Sequence, residues 1–334
     1  MILIKIGTIE LGKHPLLLAP MENISDPSFR YVCKRLGADL MYSEFISSDG
    51  LIRNGEKSLK KLQIFDYERP IGIQLCGHLI ESMVEAVKIV EQLNPEIIDI
   101  NFGCSVKKIV AKGAGAGMLN DIPKMVKMTS AIVNETNIPV TVKTRLGVDE
   151  NNKNIIEVAE RLQDTGIKAI TIHGRTLTQR FKGAADWTLI GKVKNNPRMR
   201  IPVFGNGDIN GPDIAKLMFD KYVVDGIMIG RASIGNPWIF KEIKHYLEKG
   251  EKLPLPTIKE KVKLVKSHLR KSIELKGKPC GIYEMRRHFS NYFKGLPNFR
   301  KTKLKLLTSQ NFEEIIKILD GIAIQYADVN SCGC

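Results

Sequence analysis

Eight short, almost unbroken apolar runs recur along the chain, separated by longer segments whose apolar positions repeat every three or four residues. The runs are 16–20 (LLLAP), 39–43, 71–76 (IGIQLC), 97–102 (IIDINF), 139–144 (PVTVKT), 169–173 (AITIH), 202–205 (PVFG) and 226–230 (GIMIG). Each has the length of a strand, and the lack of polar alternation predicts parallel strands covered on both faces. Between them, segment 78–93 puts Leu79, Met83, Val87 and Val90 on one helical face, and 121–134, 152–164 and 211–219 behave alike. Asp121 before Ile122-Pro123 reads as a helix N-cap with proline in the first turn. Strand and helix alternating eight times describe either a doubly wound open sheet or a closed barrel. The count of eight favours an α/β chain built on a (β/α)8 TIM barrel over residues 1–250, although periodicity alone does not exclude a large open sheet.

After Gly250 the pattern changes. Leu253-Pro-Leu-Pro256 reads as a linker, and only helical signals follow, at 257–275, 281–294, 299–308 and 311–319. This predicts a small all-helical C-terminal domain over 256–320 and a tail over 321–334. Charge sharpens the division: residues 241–310 hold 19 Lys and Arg against 6 Asp and Glu, most of the excess in a chain of net charge +15. A basic appendage of this kind favours a polyanion partner. The six cysteines are scattered and no secretory leader is visible, which predicts reduced thiols in the cytoplasm. No apolar run has bilayer-spanning length, so no membrane association is expected. Cys332 and Cys334 without further partners do not make a zinc site, and no metal is expected.

In a (β/α)8 barrel the chemistry lies at the C-terminal ends of the strands. Here those ends carry Pro20-Met21, Glu44, Gln74, Asn101 to Cys104, Lys143-Thr-Arg145, His173-Gly-Arg175, Asn206-Gly-Asp208 and Gly230-Arg231. Gly205-Asn-Gly-Asp208 and Gly230-Arg-Ala232 close strands seven and eight, where barrels commonly bind phosphate; glycines admit an anion to the backbone and Arg231 can pair with it. Either motif alone reads as a Gly-rich turn; the two in order favour the phosphate reading. Lys143, flanked by Val140, Val142 and Leu146, can stabilise an anionic ring. Gln74 can hydrogen-bond a flat heterocycle, although a lone strand glutamine is usually just a satisfied polar group. Cys104, in a glycine-flanked loop on the catalytic side, is a candidate nucleophile or general acid, whereas most buried cysteines are inert. The stretch after it, 105–117, is basic and glycine-rich and reads as a mobile loop that meets an anionic substrate.

Six motifs in order, Ala19-Pro-Met21, Asp99-Ile-Asn-Phe-Gly-Cys104, Lys143-Thr-Arg-Leu-Gly147, His173-Gly-Arg-Thr176, Gly205-Asn-Gly-Asp208 and Ile229-Gly-Arg-Ala232, resemble the tRNA-dihydrouridine synthases, above all their bacterial B-type branch. The resemblance runs from about residue 10 to about 320 and takes in Tyr283-Glu-Met-Arg-Arg-His288 and Tyr292-Phe-Lys-Gly-Leu-Pro297 of the helical part. It implies FMN surrounded by Pro20, Met21, Gln74, Lys143, His173, Asn206, Gly207, Asp208, Gly230 and Arg231. It implies NADPH as reductant, tRNA as partner, and Cys104 as the acid that protonates uracil C5 while a hydride from flavin N5 reaches C6. Lys107, Lys108, Arg145, Arg175, Arg286, Arg287, Lys294 and Arg300 are the residues expected at the RNA; Tyr292 and Phe293 can stack on bases or fill a helical core. No obligatory protein partner is expected. The chain departs from the family pattern at Ser105, where proline is usual, and loss of the fixed φ predicts a looser loop. Two other functions share part of the pattern: an FMN barrel acting on a small free molecule, dihydroorotate-dehydrogenase-like or ene-reductase-like, and a non-catalytic RNA-binding protein. The first leaves the basic appendage without a use; the second leaves the strand-end residues without one.

Overall fold

The computed structural model describes residues 3–327. Eight strands, β1 (Leu16–Leu18), β2 (Leu40–Tyr42), β3 (Ile71–Cys76), β4 (Ile97–Asn101), β5 (Val140–Arg145), β6 (Ala169–His173), β7 (Val203–Asn206) and β8 (Gly226–Ile229), pair in parallel and in sequence. β8 pairs back onto β1, with Ile227 opposite Leu16, so the sheet closes into a barrel and the open-sheet alternative falls away. A two-residue strand, Ile46–Ser47, extends β3 beyond its pairing with β2.

The longer helices of the wall are α1 (Pro27–Arg35), α2 (Ile80–Glu91), α3 (Ile122–Glu135), α4 (Ile155–Asp164), α5 (Thr188–Lys194), α6 (Pro212–Tyr222) and α7 (Ile239–Lys249). Asp121 caps α3 as the sequence predicts, accepting the Lys124 N–H at 3.0 Å with Pro123 in the first turn. Two buried layers follow from this arrangement. One lies between the barrel and its helices; the other fills the barrel, where Leu17, Leu40, Ile97, Phe204 and Met228 meet Ile6 and Leu11. Ile6 and Leu11 come from an antiparallel hairpin, Ile4–Ile6 with Ile9–Gly12, which plugs the barrel beneath the strands. The sequence reading did not include this hairpin, because its strands are too short to show an apolar run.

Four helices, α8 (Ile258–Lys276), α9 (Lys278–Tyr292), α10 (Arg300–Thr308) and α11 (Phe312–Gln325), pack around a core of their own. A capping box starts α8: the Glu260 N–H donates to Thr257 Oγ1 at 3.2 Å, and the Thr257 N–H donates to the Glu260 carboxylate at 2.7 Å. The expected end at 320 is too early. α11 runs to Gln325 because Ile322 and Tyr326 are buried in this core. Tyr292 and Phe293 are core residues as well, each 1% exposed, so they do not serve as base-stacking platforms. Cys332 and Cys334 lie outside the described residues. Among the described residues no helix is long and apolar enough to cross a membrane.

The helical unit borders the C-terminal end of the barrel. On α9 the Arg287 guanidinium donates to the Asn23 carbonyl, in the loop after β1, at 3.0 Å. Gly235, in the loop after β8, has φ +78°, and a Cβ there would fall 2.4 Å from the Asn291 backbone. α9 therefore lies directly on two of the loops that build the functional end.

Candidate active site

At the C-terminal ends of the strands a cavity of about 780 Å3 opens, within the range of small-molecule and cofactor sites. Of the residues expected around a cofactor, Pro20, Met21, Lys143, His173, Asn206, Gly207, Asp208, Gly230 and Arg231 line it together with Cys104. Period-2 alternation explains the convergence: Asp99 and Asn101 on β4, and Thr141, Lys143 and Arg145 on β5, turn to the barrel interior at rising levels.

Gln74 stands behind Asn101, which lines this cavity. It is fully buried one level down, where its Nε2 donates to Asp99 at 2.7 Å and its Oε1 accepts from Asn101 Nδ2 at 2.8 Å. Asp99 also accepts from the Thr141 hydroxyl at 2.5 Å. Burial pushes the Asp99 carboxyl up to about 7, against the pull of the Gln74 and Thr141 hydrogen bonds. The chain of bonds ends at the reactive loop, where Asn101 Oδ1 accepts the N–H groups of Gly103 at 2.9 Å and Cys104 at 2.8 Å. Asp99 and Asn101 thus set the backbone on which Cys104 stands. The sequence places Asn101 at a strand end and both residues in a family motif without giving either a role. Asn101→Ala leaves both N–H groups without their acceptor, a loss of about 1–3 kcal/mol. The expected result is a Tm lower by a few degrees and faster alkylation of Cys104 by iodoacetamide; unchanged alkylation would remove Asn101 from this role.

The loop around Cys104 is tied down rather than loose. Arg145 Nε donates to the Gly103 carbonyl at 2.6 Å, and its NH2 group reaches the Ser105 hydroxyl at 3.4 Å. Ser105 thereby supplies a tether in place of a proline ring. The 105–117 stretch likewise departs from the mobile loop expected of it. Lys107–Val110 is a short helix, and Gly115 and Ala116 are buried against Cys104 and Gly117 against Val110. A Cβ on Gly115 would lie 2.8 Å from the Cys104 carbonyl, so these glycines allow close packing.

Two of the residues expected at the RNA, Arg145 and Arg175, stand in the cavity wall rather than on the outer surface. Arg145 and Arg175 are 3% and 2% exposed, and their guanidinium groups bind the protein's own loops. Arg145 donates to the carbonyls of Thr176 at 3.1 Å and Arg180 at 2.9 Å. Arg175 forks onto Asp208 at 2.6 and 2.8 Å and donates to Gly183 O at 2.5 Å. These hydrogen bonds hold both guanidinium groups in place in the cavity wall. Lys107 and Lys108 are exposed beside the Cys104 loop, and Lys294 and Arg300 are exposed on the helical unit. Arg286 is half-buried over the Tyr283 ring, 4.6 Å from its centroid, and Arg287 is exposed with one bond to the Asn23 carbonyl.

The charges are arranged for an anion. Burial raises the Asp208 carboxyl, but the Arg175 hydrogen bond and the Ala185 N–H outweigh it and hold it below its ordinary value. Asp208 is therefore an anchor for Arg175 and, at 3.3 Å, for Arg231, rather than a direct ligand of a phosphate. Burial, then the neighbouring Arg145, lowers Lys143 to about 8; its Nζ meets Asn206 Oδ1 at 3.2 Å. Burial and four surrounding cations hold His173 neutral. Burial raises the Cys104 thiol above its ordinary value, so at neutral pH it keeps its proton. Phe181, 57% exposed at the cavity mouth, lies under both Arg231 (5.2 Å) and Arg145 (5.7 Å). The sequence reading passed over it because a single aromatic in a polar loop has no periodic signal.

This geometry agrees with three comparisons. The sequence profile described as "Dihydrouridine synthase (Dus)" matches residues 17–324. A "Probable tRNA-dihydrouridine synthase" of Rickettsia conorii is 39% identical over 89% of this chain and 89% of its own length. The "tRNA-dihydrouridine synthase B" of Pseudomonas putida is 38% identical over 90% of this chain and 89% of its own. Among solved structures, 2-naphthoyl-CoA reductase superposes with a TM-score of 0.60 at 12% identity, over 97% of this chain and 69% of that one. Histamine dehydrogenase from Rhizobium sp. 4-9 gives 0.56 at 12% identity, over 97% and 64%; at these identities the likeness concerns the fold alone. With the profile covering nearly all of the barrel and the helical unit, and relatives of this identity matching over 89–90% of this chain, the chain belongs to the dihydrouridine synthase family.

Proposed function

We propose that the protein reduces uridine in tRNA to 5,6-dihydrouridine, using FMN held in the strand-end cavity and NADPH as reductant. The observation that carries the reading is the placement of Cys104, Lys143 and Arg231 in one cavity, where burial raises the thiol above its ordinary value. The residues suit FMN: Arg231 beside Gly207 and Gly230 for the phosphate, and Lys143 for the electron-rich edge of the ring. When bound, FMN supplies the hydride that reaches uracil C6. Cys104 delivers a proton to C5 as negative charge develops on the ring, and Lys143 stabilises anionic charge in the cavity. Gln74, Asp99 and Asn101 hold the Cys104 loop, and Asp208 aims Arg175 and Arg231.

Uracil enters this cavity only after leaving its stack. Phe181, exposed at the mouth and backed by two guanidinium groups, is a platform for the displaced base or its neighbour. Beside it a second groove of about 540 Å3, lined by Lys107, Arg180 and Lys182, suits a flanking phosphate. The four described thiols, Cys33, Cys76, Cys104 and Cys280, are free, which supports the cytoplasm as the site of action.

The test is anaerobic spectroscopy of the flavin-loaded protein. NADPH is expected to bleach the flavin band, and uridine-containing tRNA to restore it with formation of dihydrouridine. Recovery only with a small free molecule would overturn the RNA reading, and failure to bind flavin after reconstitution would overturn the enzyme reading. RNA binding has its own prediction. The Lys294→Glu, Arg300→Glu double variant should raise the KM for tRNA about 10- to 100-fold and flatten its salt dependence by roughly one to two units of log–log slope. NADPH bleaching should be unchanged; an unaltered salt slope would place the RNA elsewhere.

A further inference from the structure

Away from the cavity, three ligand-type side chains from two parts of the fold meet in the interior. Asp26 caps α1 on the barrel, while His268 and His288 lie on α8 and α9 of the helical unit. All three are buried, and each offers one ligand atom, these atoms all lying within 4.8 Å of one another. His268 Nε2 and His288 Nδ1 are buried with no hydrogen-bond partner. Buried polar atoms are paired in the great majority of cases, so two orphans beside one carboxylate call for a guest.

We propose that Asp26, His268 and His288 bind one divalent transition-metal ion of the zinc class, which pins the helical unit to the barrel. The donor set, two imidazoles and one carboxylate, suits zinc or cobalt rather than calcium or magnesium, which prefer oxygen alone. The ring of His268 is held on one side. Its Nδ1 lies 3.1 Å from the Tyr292 hydroxyl, and with the proton on that bond the Nε2 lone pair is free. Both imidazoles are kept neutral by burial, as metal ligands must be. At bond lengths of about 2.0–2.1 Å, ligand atoms on a tetrahedral ion stand about 3.3 Å apart, so side-chain rotation draws the three inward, and water completes the shell.

Asp26 has other contacts. Its carboxylate accepts from Ser28 Oγ at 2.7 Å, from the Phe29 N–H at 3.2 Å, and from the Lys276 ammonium. Lys276 pairs at the same time with Glu284, so the pocket is not left positive before an ion enters. Because the three residues are far apart in sequence, no spacing motif reveals them, and the sequence alone predicts no metal.

Full-length protein stripped of metal and titrated with Co2+ tests the site. One cobalt per chain should bind with visible d–d absorption and a Tm higher by several degrees, both reversed by a chelator. His268→Gln and His288→Gln should lose the absorption while keeping the flavin band; Cys104→Ala should keep both. X-ray absorption of cobalt-loaded wild type needs no variant, and it should show imidazole scattering without sulfur. No stoichiometric binding, sulfur ligation, or absorption that survives in both histidine variants would overturn the proposal.

Discussion

Cys104→Ala is expected to lower dihydrouridine formation in tRNA by about 10²–10⁴-fold while leaving NADPH bleaching of the bound flavin at its wild-type rate. The split follows from where the thiol stands. Cys104 lines the cavity but belongs to the loop held by Asn101, apart from Lys143 and Arg231, to which the proposed function assigns the flavin. Its pKa is raised, by burial first, so it is a proton donor at neutral pH rather than a standing thiolate. Removing it leaves the flavin half-reaction untouched and takes away only the step in which the pyrimidine ring receives its proton. Cys104→Ser should not restore the rate, because a hydroxyl is a far weaker acid than a thiol. Single-turnover reoxidation by tRNA, read alongside mass analysis of the RNA, separates the two half-reactions. A variant that keeps more than half of the reoxidation rate would remove Cys104 as the acid.

The barrel was legible because parallel strands buried on both faces write themselves as apolar runs, and their ends collect polar residues whose only common feature is position. Lys143, His173, Asn206 and Arg231 are separated widely in sequence, yet the strand-end rule places all of them at one cavity. The rule locates residues along the axis and is silent on depth. Gln74, expected beside the cofactor, stands behind Asn101, which lines the cavity. Arg145 and Arg175 stand in the cavity wall, held by the carbonyls of residues 176, 180 and 183, a backing that the sequence does not show. What charge could show was the basic excess of the helical unit. What it could not show was which cations remain outside, and the structure leaves Arg287, Lys294 and Arg300 exposed, Arg287 with one bond to the Asn23 carbonyl.

Lys143→Met should make the protein more stable and nearly inactive at once. Lys143 is half-buried among the inner residues of β5, and burial brings its pKa down to about 8 from an ordinary value of about 10.4. Between those values the unfolded chain holds a proton that the folded chain has released, so stability rises as pH climbs from about 8 towards 10. Below 8 the folded protein carries the full cost of a desolvated ammonium, roughly 1–3 kcal/mol once partial exposure is discounted. Methionine fills similar volume without that charge, so the flavin-free variant should melt a few degrees higher at pH 7, and the gap should close as pH rises through the window. Flavin-free protein is required, because a bound anionic ring favours the ammonium and stabilises the fold by mass action. The lost charge should lower turnover by about 10²–10³-fold, the scale for removing one preorganised electrostatic contact. In the wild type, turnover should likewise decline at pH values where Lys143 gives up its proton. A variant that melts below wild type at pH 7 would mean that the ammonium is stabilised within the fold, and one that keeps full turnover would detach Lys143 from the chemistry. A lysine that weakens the fold and is needed for the reaction is a residue held in place by function.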